Sequence, residues 1–267
     1  MFARLRDDLR SMLREQVEYR ELLLSVTRRD LLLRYRQTVM GFGWAVFTPL
    51  LNLVVFSVVF THVVPIQTTL PYPIYAYAGL LPWNFFASAL RFSMTSLTNN
   101  QTLVTRVYFP REIFPFSAVL VGLVDFVVAG TVLAGLMIYY RVGVSASLLF
   151  LPVVIAVQLM FTAGLALLVA MANLYLRDVR YAFDAILVVW MFATSVVYPV
   201  DRVGGRLGAL LALNPMTLII DAYRAVLLGG ELPAPGPFTA AALVSVTTLG
   251  IAWLVFHRAE IRFAENV

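Results

Sequence analysis

Polar and charged residues crowd positions 1–43, and the rest of the chain is a series of apolar runs separated by short polar breaks. Six runs stand out. Residues 44–64 and 148–174 hold no Asp, Glu, Lys or Arg. Residues 74–94 are interrupted by Pro82 and carry Arg91 near their end, and 113–139 enclose Asp125. Residues 183–200 have Asp184 at their start, and 238–256 form the last run. A helix of about 20 residues crosses the hydrocarbon core of a bilayer at about 1.5 Å per residue. The pattern predicts six transmembrane helices, with the fifth and sixth near the lower limit of length. The runs are solid rather than alternating, which excludes barrel strands. The predicted fold class is an all-α integral membrane protein.

Two regions outside these runs also carry a pattern. In the N-terminal segment Phe2, Leu5, Leu9, Met12, Leu13 and Val17 recur at helical spacing with charges between them. A second piece, residues 22–36, is more apolar and carries Arg28, Arg29, Arg34 and Arg36. Such pieces suit amphipathic helices in the membrane interface, with arginines among the headgroups. Residues 207–213 and 216–228 are two apolar pieces too short to span, split by Asn214-Pro215. Short broken segments of this kind suit re-entrant helices before the last span. The predicted organisation is an interface segment at 1–43 followed by a transmembrane domain at 44–267, with a polar loop at 95–112 and a re-entrant region at 207–228.

Composition sharpens the class. Of 267 residues 61% are hydrophobic and 13% charged, against about 45–50% and about 25% in soluble domains. Neither a soluble domain nor a disordered chain fits. All 20 basic side chains are arginine, which removes lysine chemistry, and there is no cysteine. The two histidines, His62 and His257, lie far apart in sequence, so no metal-binding spacing is expected. There is no phosphate-binding GxxxxGK[ST], no GxSxG and no GxGxxG. The chain is expected to have no catalytic residues and no cofactor of its own, and any energy for transport must come from outside it. Fifteen arginines fall on one set of loops and ends and four on the other. The positive-inside rule then places both termini in the cytoplasm. The net charge of +5 suits anionic headgroups rather than nucleic acid.

Four constellations could carry function. In residues 95–112, Leu103, Val104, Val107 and Tyr108 fall on one helical face and Pro110 ends the helix. This short amphipathic helix suits docking to a partner protein, and equally a stiff loop on the bilayer. Arg34 and Arg36 precede a Gly41-x-Gly43-Trp44 turn into the first span. Arginine forks suit a diphosphate; ordinary anchoring explains them too. Residues 173–184 alternate in sign, as a local ion-pair network would. Asp125 is a lone intramembrane acid, which suits packing between spans by hydrogen bonds better than a proton relay. Trp44, Trp83, Phe85, Phe86 and Tyr198 suit an interfacial belt or a sugar-stacking conduit.

Taken in order, Arg34-Tyr-Arg36 with Gly41-x-Gly43-Trp44 and Pro49, Leu103-Val104 to Phe109-Pro110, Asn173 to Arg180, and Asn214-Pro215-Met216 with Tyr223-Arg224 resemble the ABC transporter type-2 permeases that export lipid-linked polysaccharides. O-antigen, capsule and teichoic-acid permeases belong to this group. The resemblance covers nearly the whole chain. It implies a homodimer of this chain with two copies of a separate ATPase that binds ATP and Mg. It implies an N-terminal interface helix, outer re-entrant helices and a multi-pass position in the bacterial inner membrane. It implies a coupling helix including Thr98, Asn99, Asn100, Leu103, Val104, Arg106, Val107 and Tyr108. The implied substrate is a polyprenyl-diphosphate-linked glycan moving between protomers, with Arg28, Arg34 and Arg36 as candidates to meet the diphosphate. Drug and lipid permeases share much of the pattern. An ion-coupled carrier and a membrane-embedded enzyme are the rivals from other classes.

Overall fold

A computed structural model describes residues 12, 14–36, 40–41, 43–63, 70–106, 109–176, 178–199, 203–260 and 263. The described residues are helical or in connecting turns, with no strand among them. A helical stretch at 14–18 leads into α1 (Arg20–Tyr35). α2 (Gly43–Val58) continues as a π-turn over Val59–Val63. α3 spans Tyr72–Ser96, and a 3₁₀ turn at Thr98–Asn100 precedes the short α4 (Gln101–Arg106). α5 spans Ile113–Tyr139, and α6 (Leu151–Tyr175) follows a 3₁₀ turn at Ala146–Phe150. α7 is Val179–Phe192, α8 Gly205–Ala212, α9 Pro215–Arg224 with a π-turn at Ala225–Gly229, and α10 Pro235–Ala259.

Among the described residues, four helical segments are long and apolar enough to cross a membrane: Gly43–Val63, Ile113–Tyr139, Ala146–Tyr175 and Pro235–Ala259. The chain is therefore a multi-pass membrane protein. α3 has 25 residues, enough to cross, but its tyrosines, Trp83 and Asn84 dilute its apolarity. It is the central helix, buried along most of its length and packed against α2, α5, α6 and α9. Small residues set the closest approaches. A Cβ on Gly164 of α6 would lie 2.8 Å from the Leu249 backbone nitrogen on α10. Side-chain amides join the helices where water is absent. Gln158 donates to the Pro82 carbonyl at 2.7 Å and accepts from the Tyr223 hydroxyl at 2.7 Å. Asn173 donates to the Met94 carbonyl at 2.9 Å.

The fifth apolar run differs from its expected form. A continuous helix was expected to fill 183–200, but α7 ends at Phe192 after 14 residues, about 21 Å at the helical rise. Residues 193–199 form an irregular turn that buries Val196 and Val197. Irregular backbone is tolerated there because two side chains take up its carbonyls. Arg224 Nη2 donates to Val196 O at 2.7 Å and the Tyr72 hydroxyl to Val197 O at 2.9 Å. The apolar pieces before the last span form two short helices, α8 and α9. Asn214 caps α9, accepting from the Met216 N–H at 3.1 Å, and Pro215 sits at the first helical position where its missing N–H costs nothing.

Candidate functional site

α1, α2, α3 and α5 enclose a cavity of about 490 Å³ whose lining includes Arg34, Trp44, Asn52, Asn84, Phe92 and Asp125. Arg34 lies in the last turn of α1, where the helix dipole favours a cation. It pairs with Asp125 of α5, and the Tyr35 hydroxyl donates to the same carboxylate. The Arg34 guanidinium also sits 4.2 Å over the Phe92 ring. A carboxylate inside an apolar helix is costly unless it is paired, and α1 delivers the partner from outside the bundle. Asn84 adds a buried Nδ2 that has no hydrogen-bond partner among the described residues. The cavity thus offers a cation, a spare amide donor and aromatic faces. A second cavity of about 360 Å³ shares Arg34 and Phe92 with it and extends to Arg29, Thr95 and Asn99.

Of the three arginines expected to meet a diphosphate, only Arg34 lines these cavities. Arg28 and Arg36 are exposed on either side of it. Among the aromatic candidates, Trp44 and Phe85 line the larger cavity. Trp83 and Phe86 are buried in the core of the chain, with Phe86 stacked on Phe161 at 5.8 Å. Tyr198 is half-buried in the turn after α7 and donates to the Phe192 carbonyl. Arg91 pairs instead with Asp184 of α7 at 2.8 Å, both largely exposed.

The loop at 95–112 is oriented differently from its sequence pattern. Its apolar face was expected to meet either a partner or the bilayer; Val104 on that face is fully buried in one cluster with Phe109, Phe114 and Phe256, and Leu103 packs on that cluster. The face turned outward is polar, with Asn99, Gln101, Thr102 and Thr105 exposed and Thr98 half-buried. The Arg106 side chain, Val107 and Tyr108 lie outside the described residues. One bond ties α1 to this loop and a second ties it to the start of α5. Arg29 Nη2 donates to Asn100 Oδ1 at 2.8 Å, and Asp30 accepts from the Ser117 hydroxyl at 3.2 Å.

Sequence reasoning missed a polar cluster beneath α4. Arg111 donates to the Val104 carbonyl at 3.1 Å and to the Glu260 carbonyl at 2.5 Å. Burial and then the nearby Glu112 carboxylate push the Glu260 carboxyl up to about 8. These residues are scattered through the sequence, so only the fold brings them together.

The whole-chain pattern has counterparts among known proteins. The family model for ABC-2 type transporters matches residues 21–228. An O-antigen export system permease protein, RfbA, from Myxococcus xanthus is 33% identical over 258 residues, covering 96% of this chain and 99% of that protein. This chain belongs to the ABC-2 type transporters, among the permeases of the O-antigen export family. Two RfbA permeases from Klebsiella pneumoniae are 26% and 27% identical, each over 92% of this chain and 94% of its own length. The matched region contains the larger cavity, the short α4 and the paired helices α8 and α9.

Proposed function

We propose that this chain is the membrane subunit of an ATP-driven exporter that moves a polyprenyl-diphosphate-linked glycan, of the O-antigen type, across the bacterial inner membrane. The observation that carries this is the end-to-end similarity to O-antigen export permeases. The cavity around Arg34 supports the diphosphate as the recognised group. In this reading Arg34 is held ready by Asp125 and Phe92, and an incoming diphosphate competes with the carboxylate for the guanidinium fork. The Asn84 amide adds a neutral donor, and Trp44 and Phe85 supply apolar wall for the lipid and sugar.

The working assembly is two copies of this chain with two copies of a separate ATPase that binds ATP and Mg. α2 and α7 each leave an apolar face uncovered. Trp44, Val54 and Val55 on α2, and Tyr181, Ile186 and Val189 on α7, are exposed in the single chain. These faces meet across the dimer and bound the conduit. Both termini lie in the cytoplasm, and six segments cross or enter the membrane, α7 completing its path through the turn at 193–199. α8 and α9 re-enter from the outer side. The polar face of α4, with Thr98, Asn99 and Asn100 beside it, docks on the ATPase, and α1 carries that motion to Arg34 through the Arg29–Asn100 bond.

The test is transport of a polyprenyl-diphosphate glycan into vesicles containing the assembled exporter. Arg34→Gln removes the fork and is expected to cut transport by at least about tenfold, the loss of one charge-assisted bond, while basal ATP hydrolysis persists. Equal transport by the variant would remove the diphosphate role from this cavity. Loss of hydrolysis as well would place Arg34 in coupling instead.

A further inference from the structure

We propose that Glu15, Glu112 and His257, joined by Glu260, form a binding site for a divalent cation of the zinc or manganese class. One ligand atom from each of Glu15, Glu112 and His257 lies within 4.8 Å of the others. His257 Nδ1 is 3.9 Å from Glu112 Oε1 and 3.7 Å from Glu260 Oε1. An ion with bonds of about 2.0–2.2 Å holds its ligands about 3.4 Å apart, so a small inward movement closes the shell.

The observation that points to a ligand is Glu112. Its side chain is fully buried, and its Oε2 has no hydrogen-bond partner among the described residues. His257 Nδ1 is also buried and unpartnered there. The buried Glu112 carboxylate and the buried imidazole nitrogen 3.9 Å from it, with two further carboxylates around them, form a donor set that suits a cation at its centre. The neighbouring arginine does not supply one: the Arg111 fork is spent on the Val104 and Glu260 carbonyls. Outer bonds already orient the ligands, as metal sites require. Trp253 Nε1 donates to Glu112 Oε1 at 3.1 Å and the Arg111 N–H to Glu260 Oε2 at 3.3 Å. Imidazole with carboxylates suits zinc or manganese better than calcium or magnesium, which take oxygen only.

The ligands come from three separate parts of the chain. Glu15 lies in the helical stretch at 14–18, Glu112 just before α5, and His257 and Glu260 at the end of α10. A bound ion ties these together directly beneath α4, to which Arg111 is bonded. The inference does not depend on what the exporter carries.

The full chain, without a histidine tag, is stripped with EDTA in mild detergent and dialysed against Zn²⁺ or Mn²⁺. Bound metal is then counted by elemental mass spectrometry, and the thermal midpoint is read with and without the ion. The expected result is about one ion per chain and a raised midpoint. Glu15→Gln and His257→Gln should each weaken binding by more than about tenfold and abolish the shift. These two partly exposed positions keep the test valid if Glu112→Gln fails to fold. Metal content near zero in the native chain would overturn the proposal. So would equal binding by both variants, which means an adventitious ion only.

Discussion

Arg224 is the side chain on which the turn after α7 depends. It is nearly buried, and it donates to the Ser195 hydroxyl and the Val196 carbonyl at 2.7 Å each. Its guanidinium lies 3.8 Å over the Tyr75 ring. Arg224→Met keeps the aliphatic stem and removes every donor. The Val196 carbonyl is then buried without a partner, which costs about 1–3 kcal/mol. Loss of the ring contact adds about 0.5–2 kcal/mol. The Asp221 carboxylate, half exposed, turns to solvent at little cost. The sum is about 3 kcal/mol, or about 6–12 °C in thermal midpoint at about 2–4 °C per kcal/mol. The assay is thermal unfolding of the purified chain in detergent, followed by size exclusion with tryptophan fluorescence. Arg224→Lys should recover part of the loss, because an ammonium can reach one acceptor but not two. A midpoint within about 2 °C of the native chain for Arg224→Met would refute the claim that this residue holds the turn.

Three further outcomes follow from the same geometry. Gly164→Ala should destabilise the chain by about 1–3 kcal/mol through overpacking, because the new Cβ meets Leu249 backbone at 2.8 Å; Gly130→Ala, with nothing within 4 Å, should be neutral or stabilising, and equal midpoints for the two would contradict the close packing of α6 on α10. Metal-stripped protein should lose stability as pH rises from about 4.5 to about 8: the folded state keeps the Glu260 proton across that window while the unfolded state releases it, so the advantage is full below about 4.5 and spent above about 8. Glu260→Gln should flatten that part of the profile in a pH series of thermal midpoints, and an unchanged slope would assign it to other groups. Because the native chain has no cysteine, single cysteines report contacts between copies cleanly: Ile186→Cys or Val189→Cys on α7 should cross-link two chains in native membranes, whereas the similarly exposed Ile251→Cys on α10 should not.

Helices were the most legible feature of the sequence. Solid apolar runs of about 20 residues have few other stable forms in a membrane, and Asn214-Pro215 marked the break before α9 through ordinary capping chemistry. The end of α7 was not legible. Residues 193–200 hold no charge and continue the run with Val196, Val197 and Val200, and the donors that let them leave the helix, Tyr72 and Arg224, come from α3 and α9. The inward turn of Val104 depends likewise on Phe109, Phe114 and Phe256 closing over it, which no helical wheel reveals. At the site, Arg34 could be singled out by its place before the first span. Its pairing with Asp125 could not, since the partner lies in α5. The cluster around Glu112 was invisible for the same reason: beyond Glu260, three residues on, His257 gains Glu112 only when α10 returns beside the start of α5.

The central claim is that this chain works as the permease of an ATP-driven exporter. The most direct test is to purify it from its native membrane in mild detergent and identify what accompanies it by mass spectrometry. The account predicts a P-loop ATPase at one-to-one stoichiometry, lost when the exposed polar residues Asn99, Gln101 and Thr102 are replaced by bulky acidic ones. A chain that stays folded but alone across several detergents would contradict it.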